Sequence, residues 1–135
     1  MRSHELLLRQ VHPNFVQQGR VTSQAFRPTP KDEQRLSVHD GNLIEPPAAW
    51  QHYTNTLGQA SLGVMAVSRT ECAVLTLPVR PDPEPFPEHV VIDFSGYTKN
   101  QIEAKAKELK RHADARGWLI RAAGGRQIDP NQRTE

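Results

Sequence analysis

The chain has 135 residues, 36% of them hydrophobic and 24% charged, with a net charge of +2 and a mean hydropathy of −0.65. That length suits one domain able to bury its own core, and so small a net charge does not by itself mark a nucleic-acid binder. The single cysteine, Cys72, excludes an internal disulfide and any multi-cysteine zinc site, and Leu6–Leu8 is too short a run for a signal or membrane segment, so a soluble cytoplasmic protein is expected.

Leu6–Val11 reads as a first strand, and residues 13–19 as a loop or a single helical turn. Val21–Phe26 alternates Val21, Ser23 and Ala25 against Thr22, Gln24 and Phe26, which predicts a second strand. After the Pro28 and Pro30 loop, Leu36–Val38 predicts a short edge-like strand closed by the turn pair Asp40-Gly41. Pro46-Pro47 opens a helix from about Ala48 to Leu57, with Trp50, Tyr53 and Leu57 on one stripe and Gly58 as its stop.

Leu62–Val67 is an apolar strand, and Ser68-Arg69-Thr70-Glu71 has the spacing of a capping box for a short helix. Five prolines between Leu77 and Pro87 predict an extended, stiff connector with little hydrogen bonding. His89–Phe94 is the strongest strand signal in the chain. A second capping box, Thr98 to Gln101, starts a helix whose Ile102, Ala106, Leu109 and Ala113 form one apolar face, with Gly117 at its C-terminal cap. Trp118–Arg121 is a last strand. Strands and helices interleave without a regular βαβ period, so the expected fold is α+β: one domain over residues 4–121, a mixed or antiparallel sheet with two to three helices on one face, and a flexible tail from 122.

Charge is distributed unevenly: residues 1–31 and 99–121 each carry +4, and residues 32–71 and 72–98 each carry −3. A fold that joins the two basic ends acquires a basic face. The last helix, with Lys105, Lys107, Lys110, Arg111 and Arg116, reads first as a solvated face and second as a nucleic-acid contact. Cys72, in Glu-Cys-Ala-Val, reads as a buried, inert thiol.

Six histidines invite a metal or acid–base role, but there is no His-x-His, no HExxH and no Cys/His pairing, so no metal is expected. Glycine-rich phosphate loops are absent, so no nucleotide cofactor is expected either. His4 lies near the start, His52 reads as a helix-surface residue, and His112 pairs with Glu108 four residues earlier. His12, His39 and His89 remain. His12 and His89 are the candidate catalytic acid–base residues. Arg9 is the candidate anion holder, with Ser23 and His39 completing the candidate substrate-binding set. His89 and Asp93 share a strand face but lie roughly 13 Å apart, too far to touch.

An arginine on a first strand (Arg9) followed by a Ser/Thr-bearing strand (Thr22, Ser23) resembles the opening of ADP-ribosyltransferase-type domains. That resemblance implies an arginine that holds a phosphate and a hydroxyl strand that shapes a nicotinamide pocket. It covers about the first fifth of the chain, and Glu71 and Glu88 are the nearest candidates for the catalytic glutamate it requires. The stretch Arg9–Gly41, together with Pro-Asp-Pro-Glu-Pro-Phe-Pro-Glu-His and Val-Ile-Asp-Phe, resembles a group of small bacterial proteins of unknown function over most of residues 6–120. That second resemblance implies no activity.

Two functional expectations follow. The favoured one is a small bacterial accessory or interaction module that holds another macromolecule, with a protein partner ahead of nucleic acid, through polar N-terminal strands and a basic surface. The alternative is a small enzyme acting on a nucleotide or phosphoryl-containing substrate through Arg9, His12, His89 and Ser23. Convergence of Arg9, His12 and His89 in one cleft is the geometric test of the enzyme as stated.

Overall fold

The computed structural model describes residues 5–28 and 34–122; the expected tail lies almost entirely outside the described residues. Among them are eight strands and three α-helices: β1 (Leu6–Gln10), β2 (Val16–Gln17), β3 (Arg20–Val21), β4 (Arg35–Asp40), α1 (Pro46–Gln51), β5 (Gly63–Ser68), α2 (Arg69–Val74), β6 (Val79–Pro81), β7 (His89–Asp93), α3 (Lys99–Arg116) and β8 (Ile120–Arg121). Six strands form one sheet in the order β6-β7-β4-β1-β5-β8, every neighbouring pair antiparallel, and β2 and β3 form a separate ribbon. The fold is α+β, as the interleaving of elements predicts.

Alternation along the strands assigns each side chain to a face. Leu7, Val11, Leu36, Val38, Met65, Val67, Val90 and Ile92 join the larger core with Phe26, Phe94 and the α3 residues Ile102, Ala106, Leu109 and Ala113. The helix face read from the sequence is the buried one. Both capping boxes form: Thr98 caps Gln101 and Ser68 caps Glu71, each with the reciprocal side-chain bond. Glu71 also ties α2 to α3 through Arg116 at 2.9 Å. Its burial would raise the carboxyl pKa, but the Arg116 hydrogen bonds, the Ser68 N–H and the charges of Arg116 and His112 outweigh this and hold it below the usual range. His112 faces Glu71 at 3.4 Å, and Glu108 pairs instead with Arg111, so the expected Glu108–His112 pair gives way to a contact between helices.

The opposite face carries a smaller core of Leu6, Leu8, Ala49, Val64 and Ala66, covered by α1 and flanked by Trp50, Leu119 and Ile120. Two of the three helices, α2 and α3, therefore share one face, and α1 lies on the other. At Gly63, the Cβ of any other residue would sit 2.2 Å from the Ile120 carbonyl oxygen, so close packing of β8 on β5 requires glycine.

Three local expectations change. Residues 23–26 form a 3-10 turn, not a strand, and this turn buries Ala25 and Phe26 under α3. The turn buries two consecutive residues, Ala25 and Phe26, where a strand would have put them on opposite faces. The strand at 36–38 is longer and lies inside the sheet, between β7 and β1. The proline-rich connector contributes an edge strand, β6, whose Pro81 suits an edge because it cannot donate to a further neighbour.

Candidate functional site

β1 and β4 are paired at Leu7–Asp40 and Leu8–His39, and beyond that pair the strands part. Gln10 turns toward α1, donating to the Ala49 carbonyl and accepting from Ser61 Oγ at 2.7 Å. The gap opens a cleft of about 720 Å³ on the α1 side of the sheet, a volume suited to a small organic ligand. Its floor comes from β1, β4 and β7. Tyr53, Leu57 and Gln59 wall one side, and the loop after β6 walls the other with Asp82, Pro85 and Phe86.

The antiparallel register brings the polar floor together. His39 lies directly opposite His89, and Ser37 lies opposite Val91, two residues along the same face. Ser37 is thus the diagonal neighbour of His89, within reach of a long side chain. The distance from His89 Nε2 to Ser37 Oγ is 3.0 Å. The Asp82 N–H donates to the His89 carbonyl at 3.0 Å, extending the β6–β7 ladder by one bond and returning Asp82 to the other edge of the ring. His89 Nδ1 then meets the Asp82 carbonyl oxygen at 2.9 Å and its carboxylate at 3.4 Å.

These contacts select the tautomer. Both Asp82 oxygens are acceptors, so the proton of neutral His89 resides on Nδ1 and Nε2 presents its lone pair. Ser37 therefore donates its hydroxyl hydrogen to Nε2. His89 is 8% exposed and held on both sides, whereas Ser37 is exposed to the cleft.

A second histidine group lies beside the first. His39 Nε2 and His52 Nδ1 are 3.2 Å apart, one donating and the other accepting. Phe86 stacks on His39 at 4.9 Å and meets His52 and His89 edge-on at 4.6 and 5.1 Å. Burial, with the charges of His52 and His89 adding to it, pushes the His39 pKa down to about 4, so the ring is neutral near pH 7. His52, expected at the helix surface, is half-buried at the start of a π-helical turn over His52–Thr56, held against His39 and Phe86. Among the described residues, no group of three or more His, Cys, Asp or Glu is arranged to hold a metal.

Of the sequence-derived candidates, His39 and His89 meet in the cleft. His12 does not: its Nδ1 accepts from the Asn14 N–H at 2.9 Å and caps the 3-10 turn at 13–15, beside Phe15. Ser23 lies in the turn beneath α3. Arg9 borders the cleft, but its Nε donates to the Ala25 carbonyl at 2.6 Å and its Nη1 to the Ser37 carbonyl at 3.0 Å, across the point where β1 and β4 separate. Arg9 is a clamp between strand and turn, and the His12–His89 pair is not assembled. Ser37, Asp82, Phe86 and Arg35 line the cleft and were absent from the sequence-derived set. The alternation of Arg35, Ser37 and His39 on one side of β4 was the sequence signal for Arg35 and Ser37; Asp82 and Phe86, after β6, carried none.

Cys72 is buried, and burial, with the Glu71 charge adding to it, pushes its thiol up to about 12, as expected of an unreactive side chain. Among the described residues, no helix is long and apolar enough to cross a membrane. No protein family, no curated protein and no solved structure matches the chain.

Proposed function

We propose that the chain is a small enzyme acting on a nucleotide-sized, phosphoryl-containing substrate bound in the sheet cleft, with His89 as the acid–base residue. The observation that carries this reading is the doubly held His89, whose Asp82 contacts leave a basic nitrogen aimed into an open cleft. Arg35 supplies a cation at the floor for the anionic part of the substrate, and Phe86 and Tyr53 supply flat apolar surface. The enzyme expected from the sequence is not assembled, because Arg9, His12 and His89 do not converge; the present reading keeps His89 and replaces the other members by Ser37, Asp82 and Arg35.

The other reading, an interaction module with a protein partner, assigns the contact surface to polar N-terminal strands and a basic surface. β1 lies in the middle of the sheet, with Leu6, Leu7 and Leu8 buried, so little of that strand is open to a macromolecule.

A thermal-shift panel of nucleotides and phosphorylated metabolites tests the enzyme. At a hundred times its Kd, a ligand adds about 2.7 kcal/mol of stability, a shift of several degrees in a domain this size. The expected result is stabilisation by one chemical group of ligands, lost in Arg35→Ala and kept in Lys107→Ala. Arg9→Ala is a poor probe because it also removes the clamp on Ala25 and Ser37. A flat response across the panel would overturn the reading and return the search to a protein partner.

A further inference from the structure

Among the described residues, Ser37 is the hydroxyl in contact with the presented nitrogen of His89, and it is open to the cleft. A serine beside a base, with the base oriented from behind by an acceptor, is the arrangement that activates an otherwise weak nucleophile. From this geometry we infer that Ser37 is a covalent nucleophile and, resting on the reading of the cleft as a phosphoryl site, that the substrate is a phosphate ester with an oxygen leaving group.

The chemistry balances within these residues and water. Ser37 Oγ bonds to phosphorus while its proton passes to His89 Nε2. The bond from phosphorus to the leaving oxygen breaks, and His89 returns the proton to that oxygen, releasing an alcohol. A water molecule then gives its proton to His89 and attacks the phosphorus of the serine ester. The proton goes back to Ser37 Oγ as the product phosphate departs. No electron transfer and no further reactant are needed. Through the cycle, Asp82 keeps the Nδ1 proton in place and stabilises the transient imidazolium.

Asp82 acts as a positioning residue, and the distances predict how its loss differs from loss of a sole orienting carboxylate. The backbone carbonyl is nearer to Nδ1, at 2.9 Å, than the carboxylate, at 3.4 Å. Asp82→Ala retains the carbonyl and therefore the tautomer. Its rate should fall by much less than the roughly 10⁴-fold seen where a carboxylate alone orients the histidine, with a changed pH profile of the reaction because the imidazolium has lost its counter-charge.

The test is covalent trapping. A fluorophosphonate reacts with an activated serine by forming the Oγ–P bond and expelling fluoride, whatever the native substrate. The folded wild-type protein should gain one adduct by intact mass spectrometry, mapped to Ser37 by peptide sequencing. The adduct should be absent in Ser37→Ala and in urea-unfolded protein, and form at least about 100-fold more slowly in His89→Gln. Labelling of other serines at the same rate, or no labelling of a folded protein, would overturn the nucleophile. If the ligand panel still shows selective stabilisation in that case, the cleft reading stands and His89 acts without covalent catalysis. Turnover of bis(p-nitrophenyl) phosphate is the expected class. Turnover of p-nitrophenyl acetate alone would overturn the phosphoryl assignment while leaving the serine in place.

Discussion

The two faces of the sheet are built from the same alternating strands and finished in different ways. On one face, α3 and the turn at 23–26 bury Phe26, Phe94, Ile92 and Leu109 completely, and the polar groups there serve caps and links between helices. On the other, α1 covers only the β1–β5 end, and β4 and β7 bring Ser37, His39 and His89 to the cleft, the two rings buried against Phe86 and Ser37 exposed. The covered face stores stability. The half-covered one retains unsaturated surface with fixed polar groups, the condition for binding and catalysis. Substitutions should separate along the same line.

The largest effect tests the open face: His89→Gln should reduce turnover of a phosphodiester by 10²–10⁴-fold, measured as initial rates, while urea unfolding shows at most about 1 kcal/mol of lost stability. On the covered face, Phe94→Ala should cost about 3–5 kcal/mol in the same unfolding assay and leave residual activity in proportion to the folded fraction. A large stability loss in the first variant, or a normal Tm in the second, would break the division.

Gly63→Ala tests the seam between the faces. Its Cβ would displace Ile120 and Trp118, an overpacking cost of roughly 1–3 kcal/mol that calorimetry would read as a lower Tm.

Acid tests the histidine group. His39 is protonated in the unfolded chain below about 6.5 and in the folded protein only below about 4. Between those values the unfolded state binds more protons, so stability falls as pH drops from 6.5 to 4 and does not change on this account above 6.5. The loss is on the order of 2 kcal/mol once solvent at the half-exposed His52 is allowed for. His39→Gln should flatten urea midpoints across that window; an equal slope in both proteins would sink the assignment. Thr98→Ala, which removes a cap from α3, should cost about 1 kcal/mol, the smallest loss on the covered face.

Much of the architecture was legible because it is written in short-range pattern. Capping boxes at Ser68 and Thr98, the apolar face Ile102-Ala106-Leu109-Ala113, the stop at Gly58 and the strand at His89 depend on residues within a few positions of each other. The segment 21–26 misled because the packing of Ala25 and Phe26 together under α3, which fixes the turn, is a tertiary contact that no local pattern records. The strand at 36–38 looked like an edge because polar alternation on one side is shared by an edge strand and by an interior strand that floors a cleft.

The site itself lay beyond local reading. Ser37 and His89 are 52 positions apart, and their contact exists because β4 and β7 pair in a register that sets His39 against His89. A shift of one residue would send these side chains to the opposite face. Asp82 reaches the ring only because the ladder runs one bond past β6. His12, equally prominent in the sequence, caps a turn instead. Sequence alone determined the residue inventory, the helices and the α+β class, because caps and periodicity act between near neighbours. Tertiary structure decided which histidines meet and which serine they meet, because strand order and register are set by burial across the whole sheet.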